Sequence, residues 1–243
     1  MTRVLVVGDE RRRVEAMLAL RGHEIVRRAP ELVLSHGGDG SLLRAERWFP
    51  GVPKLPVRVA TGQRLCPRHT LEAVLRRMAD DVLPREELDL LELRVGNTLF
   101  LAMNDVVLRN DNPAVAVRFH LVVDGVRSRE HTGDGLVIAT PFGSTAYYRS
   151  VTRTSFAAGI GVGFNNSTRL TKPLLLDPRS SLVIEVVRGP AVLVADNDDR
   201  AIPLREGHWF AVRRSSRSAV VLGLDALRCQ DCRRADHGTF NPH

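Results

Sequence analysis

Lysine is almost absent from this chain: Lys54 and Lys172 are the only two among 35 basic residues, so 33 are arginine. Aromatic residues make up only 5% of the 243, too few for an obvious platform on which single-stranded nucleic acid could stack. No apolar run approaches the roughly 20 residues of a membrane-spanning helix. Cysteine is scarce and odd in number, which argues against a disulfide framework. The opening "MTRVLVVGDERRR" lacks the basic, apolar and small-residue order of a signal peptide and reads as a first strand. Together these absences predict a soluble, cytoplasmic protein with no membrane partner.

What is present is apolar residues, at 44%, and positive charge, at a net +7. The first is enough for a sizeable core. The second permits anionic ligands, because arginine forks grip phosphate in bidentate geometry. The arginines are scattered rather than gathered in a tail, so solvated arginines from biased base composition explain the charge equally well. That scatter argues against a nucleic-acid partner.

Up to about residue 88 the hydrophobic periods alternate. "RVLVV", "EIVRR", "ELVLS" and "KLPVRVA" read as strands; "ERRRVEAMLALRGH", "SLLRAERWF" and "TLEAVLRRMADDVL" read as helices. That order predicts an α/β domain with a parallel, Rossmann-like sheet over 1–88. Beyond it, short β-runs broken by Asp-Gly and Pro turns predict a β-rich, β-sandwich-like domain over 89–224, with a tail over 225–243.

Three polar stretches interrupt this apolar pattern. "SHGGDGSLLRAE" sets Gly37, Gly38 and Gly40 around Asp39, between a strand and a helix. Glycines let a ligand approach the backbone, and the helix start, with Ser41 and Arg44 in its first turns, suits phosphate. Asp39 suits taking a proton from a hydroxyl or holding Mg²⁺; it could equally close a turn on its own backbone. "AMNDVVL" places Asn104 and Asp105 inside an apolar run, where they need partners or a function; a bulge or strand-end turn is the bland alternative. "TGDGLVIATPFGSTAYYRS" offers Thr132, Asp134, Thr140, Ser144, Thr145, Ala146, Tyr147 and Ser150 to a polar ligand; an ordinary turn and a helix cap would use some of the same residues.

In this order and spacing the three stretches resemble the NAD kinase family, most strongly at 36–44, 102–108 and 132–150. Diguanylate cyclases carry a related GGDG, but theirs continues into Glu-Phe. The resemblance implies an α/β domain similar to those of diacylglycerol kinases and phosphofructokinases, followed by a β-rich domain. It implies a homo-oligomer that uses ATP, or sometimes polyphosphate, with Mg²⁺ to phosphorylate the adenosine 2′-hydroxyl of NAD. By the same resemblance Asp39 is the general base and Gly40 lies against the ligand. Asn104 and Asp105 hold a ribose, Asp134 and residues 145–150 bind nucleotide, and Asp196 and Asn197 fall near another contact.

The chain also departs from the family. Asn104-Asp105 replaces the usual Asn-Glu, "VATGQRLCPRHT" replaces a Gly-x-Leu-Gly-Phe-like stretch, and the Gly-Gly-Pro after GSTAY is missing. Those stretches shape the pocket, so a kinase acting on a sugar, nucleoside or lipid head group, and a non-catalytic nucleotide-binding module, remain alternative readings.

Cysteine returns at the end. Cys66-x₂-His69 and Cys229-x₂-Cys232 are two knuckle-like pairs with the ligand count and spacing of a structural Zn²⁺ site, and His237 rivals the fourth position. Family members tend to return their chain end to the first domain, which would let the pairs meet. The alternative is one small buried cysteine and a loose, redox-labile tail pair.

Overall fold

The computed structural model describes residues 1–59, 66–169 and 171–229. They form two compact units: Met1–Leu88 with the chain from Ala219 onward, and Asp89–Ser218.

In the first unit, β1 (Arg3–Gly8), α1 (Arg11–Ala19), β2 (Glu24–Ile25), β3 (Leu32–His36), α2 (Asp39–Trp48), β4 (Lys54–Val57) and α3 (Leu71–Ala79) follow one another as the periodicity predicts. The strands lie side by side in the order β4-β3-β1-β2, all parallel. Parallel strands covered by helices on both faces read as unbroken apolar runs, and all five residues of β3 are buried. Helix α3 starts where Thr70 accepts a hydrogen bond from the Ala73 N–H at 3.3 Å. Glu72 in its first turn and Arg76 and Arg77 in its last complement the helix dipole.

The second unit is almost all strand. In chain order it holds β5 (Arg85–Val95, which begins in the first unit), β6 (Thr98–Ala102), β7 (Asp105–Asn110), β8 (Val117–Val123), β9 (Val126–Arg127), β10 (His131–Gly133) and β11 (Gly135–Ala139). Then come α4 (Tyr147–Thr152), β12 (Ile160–Asn165), β13 (Leu174–Leu176), β14 (Ser181–Arg188), β15 (Ala191–Ala195), β16 (Ile202–Leu204) and β17 (Trp209–Leu222). One sheet is antiparallel in the order β13-β12-β11-β7-β15-β16. The other joins β10, β8, β14 and the first part of β17. Val106, Leu108, Ile138, Val162 and Leu193 of one sheet share a core with Phe119, Leu121, Ile184, Phe210 and Val212 of the other. The result is the expected sandwich. On the outer side of the first sheet, α4 buries Tyr148 against Val107, Val137 and Ala139.

The second boundary differs from the expected one. It falls inside β17 at 218/219, not after residue 224. The reason is pairing: β17 runs antiparallel to β14 from Trp209 to Arg213, then meets β4 in parallel at Val221. After Gly223 the chain forms α5 (Asp225–Arg228), whose Ala226 joins the core of the first unit. Among the described residues no helix is long and apolar enough to cross a membrane.

Candidate active site

In the first unit the candidate residues lie where parallel strands end, the usual place for a ligand on such a sheet. Strands β1 and β3 finish level with each other, with Gly8 opposite His36. The Asp9 N–H donates to the His36 carbonyl at 2.9 Å, and the His36 ring Nδ1 lies 2.9 Å from the Asp9 carbonyl oxygen. The glycine hinge follows immediately. Gly37 is buried at φ 152°, a conformation L side chains rarely adopt, and a Cβ there would crowd the Ser41 side chain, with Oγ at 2.3 Å. Gly38 caps α2 with no side-chain bond, and Asp39, half-buried, opens it. A carboxylate in the first turn is favoured by the helix dipole. Gly40 is half-buried beside it and Ser41 is buried.

Beside this hinge a cleft of about 410 Å³ is lined by Gly8, Asp9, Arg11, Arg27, Arg44 and Trp48, among others. Arg44 lies 5.7 Å from the centre of the Trp48 ring, and its buried Nε has no hydrogen-bond partner among the described residues. Arg11 and Arg27 are already paired with Glu15. Asp9 was not expected as a site residue. Its signal was available: "VVGDE" repeats, after the first strand, the glycine-aspartate ending of "SHGGDG".

In the second unit β6 and β7 are separated by a bend at Met103 and Asn104. Two loops brace it. Asp196, at φ 52° just after β15, accepts the N–H groups of Met103, Asn104 and Asp105 at 2.9, 2.7 and 3.2 Å. Thr140, just after β11, donates its hydroxyl to the Met103 carbonyl at 2.6 Å and accepts the Gly143 N–H at 3.0 Å. Gly143 packs so tightly that a Cβ would lie 2.0 Å from the Asn104 carbonyl oxygen. Asn104 Oδ1 is buried and finds no hydrogen-bond partner among the described residues. Asp105 is buried as well, and burial first, then the nearby Asp196 carboxylate, pushes its pKa from 3.8 up to about 7.

The hydroxyls of Thr140 and Ser144 were expected to face a ligand. The structure spends them on the backbone instead: Ser144 Oγ lies 2.7 Å from the Pro141 carbonyl and accepts the Phe156 N–H at 3.2 Å. They shape the loop, because a buried hydroxyl takes whichever backbone partner is adjacent. Thr145 and Ala146 are half-buried, and Ser150 is exposed. Neither Ser144 nor Thr145 caps α4, which has no side-chain cap bond.

The remaining candidates sit at the other end of β11. Asp134 precedes that strand and accepts from Asn166 Nδ2 at 2.7 Å, and Tyr147 Oη accepts from Asn165 Nδ2 at 3.3 Å. Thr132 lines a polar pocket of about 310 Å³ with Arg118, Arg129 and Arg169. Asn197 is exposed beside Asp196. The resemblance places Asp196 near a contact along with Asn197; that Asp196 braces the bend before β7 comes only from the structure. The candidates of the second unit thus form two groups, separated by the length of β11.

Of the four zinc candidates, the structure brings Cys66, His69 and Cys229 together, with their donor atoms all within 4.8 Å of one another. Cys232 and its rival His237 lie outside the described residues. So does half of the stretch that replaces the family's Gly-x-Leu-Gly-Phe-like segment, residues 60–65.

Comparison with known proteins adds to this geometry. The family model for the ATP-NAD kinase C-terminal domain matches residues 103–224. An NAD kinase of Leifsonia xyli subsp. xyli is 32% identical over 216 residues, 82% of this chain and 71% of that protein. An NAD kinase of Paraburkholderia phytofirmans is 30% identical over 218 residues, 84% of this chain and 72% of that one. Among solved structures, an NAD kinase from Archaeoglobus fulgidus in complex with ATP matches with a TM-score of 0.77 and 19% identity, over 97% of this chain and 99% of that chain. At that identity it speaks to the fold alone.

Proposed function

This chain belongs to the NAD kinase family, and on that premise we propose that it transfers a phosphoryl group from ATP to the adenosine 2′-hydroxyl of NAD, giving NADP. The observation that supports this most directly is the braced bend at Asn104. Three N–H groups held by one carboxylate fix a short polar segment in an apolar run, and Asn104 Oδ1 is left without a partner. A buried orphan acceptor costs on the order of 1–3 kcal/mol, which a ligand hydroxyl would relieve.

The residues then divide the work. Asp39 takes the proton of the attacking 2′-hydroxyl as its oxygen bonds to the γ-phosphorus and the bond to ADP breaks. Asn104 and Asp105 hold a ribose, with Asp196 and Thr140 as positioning residues. Arg44 supplies positive charge toward phosphate from the cleft beside the hinge. Asp134, Tyr147 and Thr132 contact the nucleotide from the other end of β11. An elongated ligand needs polar groups spaced in this way.

Mg²⁺ fits this donor set. It takes one or two carboxylates and completes its shell with phosphate oxygens and water. Asp39 and Asp9 flank the hinge, and a Cβ at Gly37 would lie 3.7 Å from Asp9 Oδ2. When bound, the ion neutralises phosphate charge during transfer. We place the protein in the cytoplasm, where both substrates are made and used, as a homo-oligomer; light scattering on the purified protein checks the latter.

The test is direct. Purified protein with NAD, ATP and Mg²⁺ should form NADP, read by an NADP-specific dehydrogenase. A panel of other hydroxyl acceptors, read by ADP release, runs alongside. Turnover of a different acceptor with none of NAD would replace the assignment, and binding without any turnover would make the protein a nucleotide-binding module.

A further inference from the structure

We propose that Cys66, His69 and Cys229 are three ligands of a structural zinc site in the first unit. This inference stands on the geometry of that unit and is independent of the kinase reading.

Two local structures build the site. Pro67–His69 forms a tight 3₁₀ turn in which the His69 N–H donates to the Cys66 carbonyl at 2.8 Å. Pro67 presets the first angle of that turn, so a thiol and an imidazole three residues apart come to one side of it. Cys229 arrives from the far end of the chain. After β17 the backbone turns at Gly223, and α5 buries Ala226 and Leu227. Asp225 at its start is gripped by Arg77 of α3 through two bonds of 2.9 and 3.0 Å. That fork and those two apolar contacts deliver Cys229 to Cys66, 163 residues away in sequence.

The distances suit a metal. Cys66 Sγ and Cys229 Sγ are 3.9 Å apart. Two thiolates on a tetrahedral Zn²⁺, with Zn–S bonds of about 2.3 Å, are separated by about 3.8 Å. A disulfide would need about 2.05 Å. His69 is 1% exposed, Cys229 9%, and Cys66 half-buried. Thiolate and imidazole ligands in a sheltered site select zinc over the hard cations, which prefer oxygen.

The surroundings suit it too. Asp225 Oδ2 lies 3.8 Å from His69 Nε2 and is itself held by Arg77. A carboxylate beside a metal-binding imidazole fixes its orientation and tautomer. A helix of four residues has little apolar surface with which to hold a chain end, and a metal supplies that binding energy.

The test uses the full chain, purified without chelator and with any affinity tag removed. Elemental analysis should find one zinc per chain. Replacing zinc with Co²⁺ should give the intense visible bands of tetrahedral coordination and a thiolate charge-transfer band. Cys66→Ala and Cys229→Ala should each reduce bound zinc at least tenfold in competition with a chromophoric chelator, while Cys229→His should retain it. Should a variant fail to fold, the Co²⁺ spectrum of the wild-type protein decides alone. Wild-type protein that binds no zinc at equimolar metal would overturn the proposal. So would zinc that stays bound in both alanine variants, or a Cys66–Cys229 disulfide in protein prepared without reductant.

Discussion

Asp39 opens α2 two residues after Gly37, whose φ of 152° L side chains rarely adopt, so the backbone of the hinge sets where its carboxylate stands. Asp39→Asn should therefore keep fold and nucleotide binding while turnover falls by about 10²–10⁴-fold, the usual worth of a general base. Near-normal kcat in that variant would remove Asp39 from the role. Asp105 predicts a pH effect. Its folded pKa, about 7, lies above the ordinary 3.8, so the folded state holds a proton that the unfolded state releases. The stability this contributes is full below about pH 4 and is lost as pH rises through 7. Asp105→Asn keeps the shape without the charge. Thermal melts from pH 5 to 8 should show the variant gaining on the wild type as pH rises, by about 2–3 kcal/mol over that range. A parallel pair of curves would mean that Asp105 does not titrate in this range. Lys54 is a residue that composition presents as a rarity and the fold puts to use. It is fully buried, ion-paired with Glu46, and donates to the Phe49 carbonyl at 2.6 Å, closing the α2–β4 connection.

Strand ends, rather than strands, carry the site of the second unit. The loops after β11 and β15 both close on the bend before β7, because Ala139 pairs with Asp105 and Ala195 with Val106. Their contents differ in kind: Asp196 contributes charge-assisted bonds, whereas the turn after Thr140 contributes closeness. Gly143→Ala tests the second. A Cβ 2.0 Å from a backbone oxygen must push the bend aside. Overpacking of this sort costs about 1–3 kcal/mol, so the melting temperature should fall. The KM for the acceptor should rise more than the KM for the phosphoryl donor, because the displaced residues are Asn104 and Asp105. Equal changes in both would argue that the bend serves neither ligand in particular. The outer helix α4 has a quieter role: by burying Tyr148 on the sheet it fixes where Thr145 to Tyr147 stand.

At the scale of the whole chain, the second unit is an insertion into the first, entered at 88/89 and left at 218/219. Its main core draws only on residues between Leu91 and Val212, so a fragment of 89–218 should fold alone, with a β-rich circular dichroism spectrum and a cooperative melt. Residues 1–88 alone should not, since the core of their unit needs Ala226 and packs against Leu222. Adding a peptide that carries 219–229 to residues 1–88 should restore structure; a well-folded 1–88 fragment on its own would contradict this. The abundant arginines are largely explained on this scale. Arg213 pairs with Glu92, Arg214 with Asp89, Arg127 with Glu185 and Arg3 with Glu31, so much of the charge is spent locally at the surface, where each pair contributes little.

By itself the sequence determined the two architectures and the family. Hydrophobic period is a local property, and a 3.6-residue or two-residue repeat is visible without knowing what it packs against. The hinge at 37–40 was legible for the same reason, as glycines and an aspartate announce a backbone conformation in four letters. Tertiary structure alone decided which partners the candidate polar groups take. The hydroxyls of Thr140 and Ser144, which the sequence offers to a ligand, lie on backbone carbonyls. Asp196 gained its place because β15 happens to end beside β7. Asp9 entered the site because β1 and β3 are parallel and in register at Gly8 and His36. The end of the second unit moved to 218/219 because one strand pairs with β14 and later with β4, a fact of partners and not of period. Hydrogen-bond partners and strand neighbours come from residues far apart in the chain, and no local pattern records them.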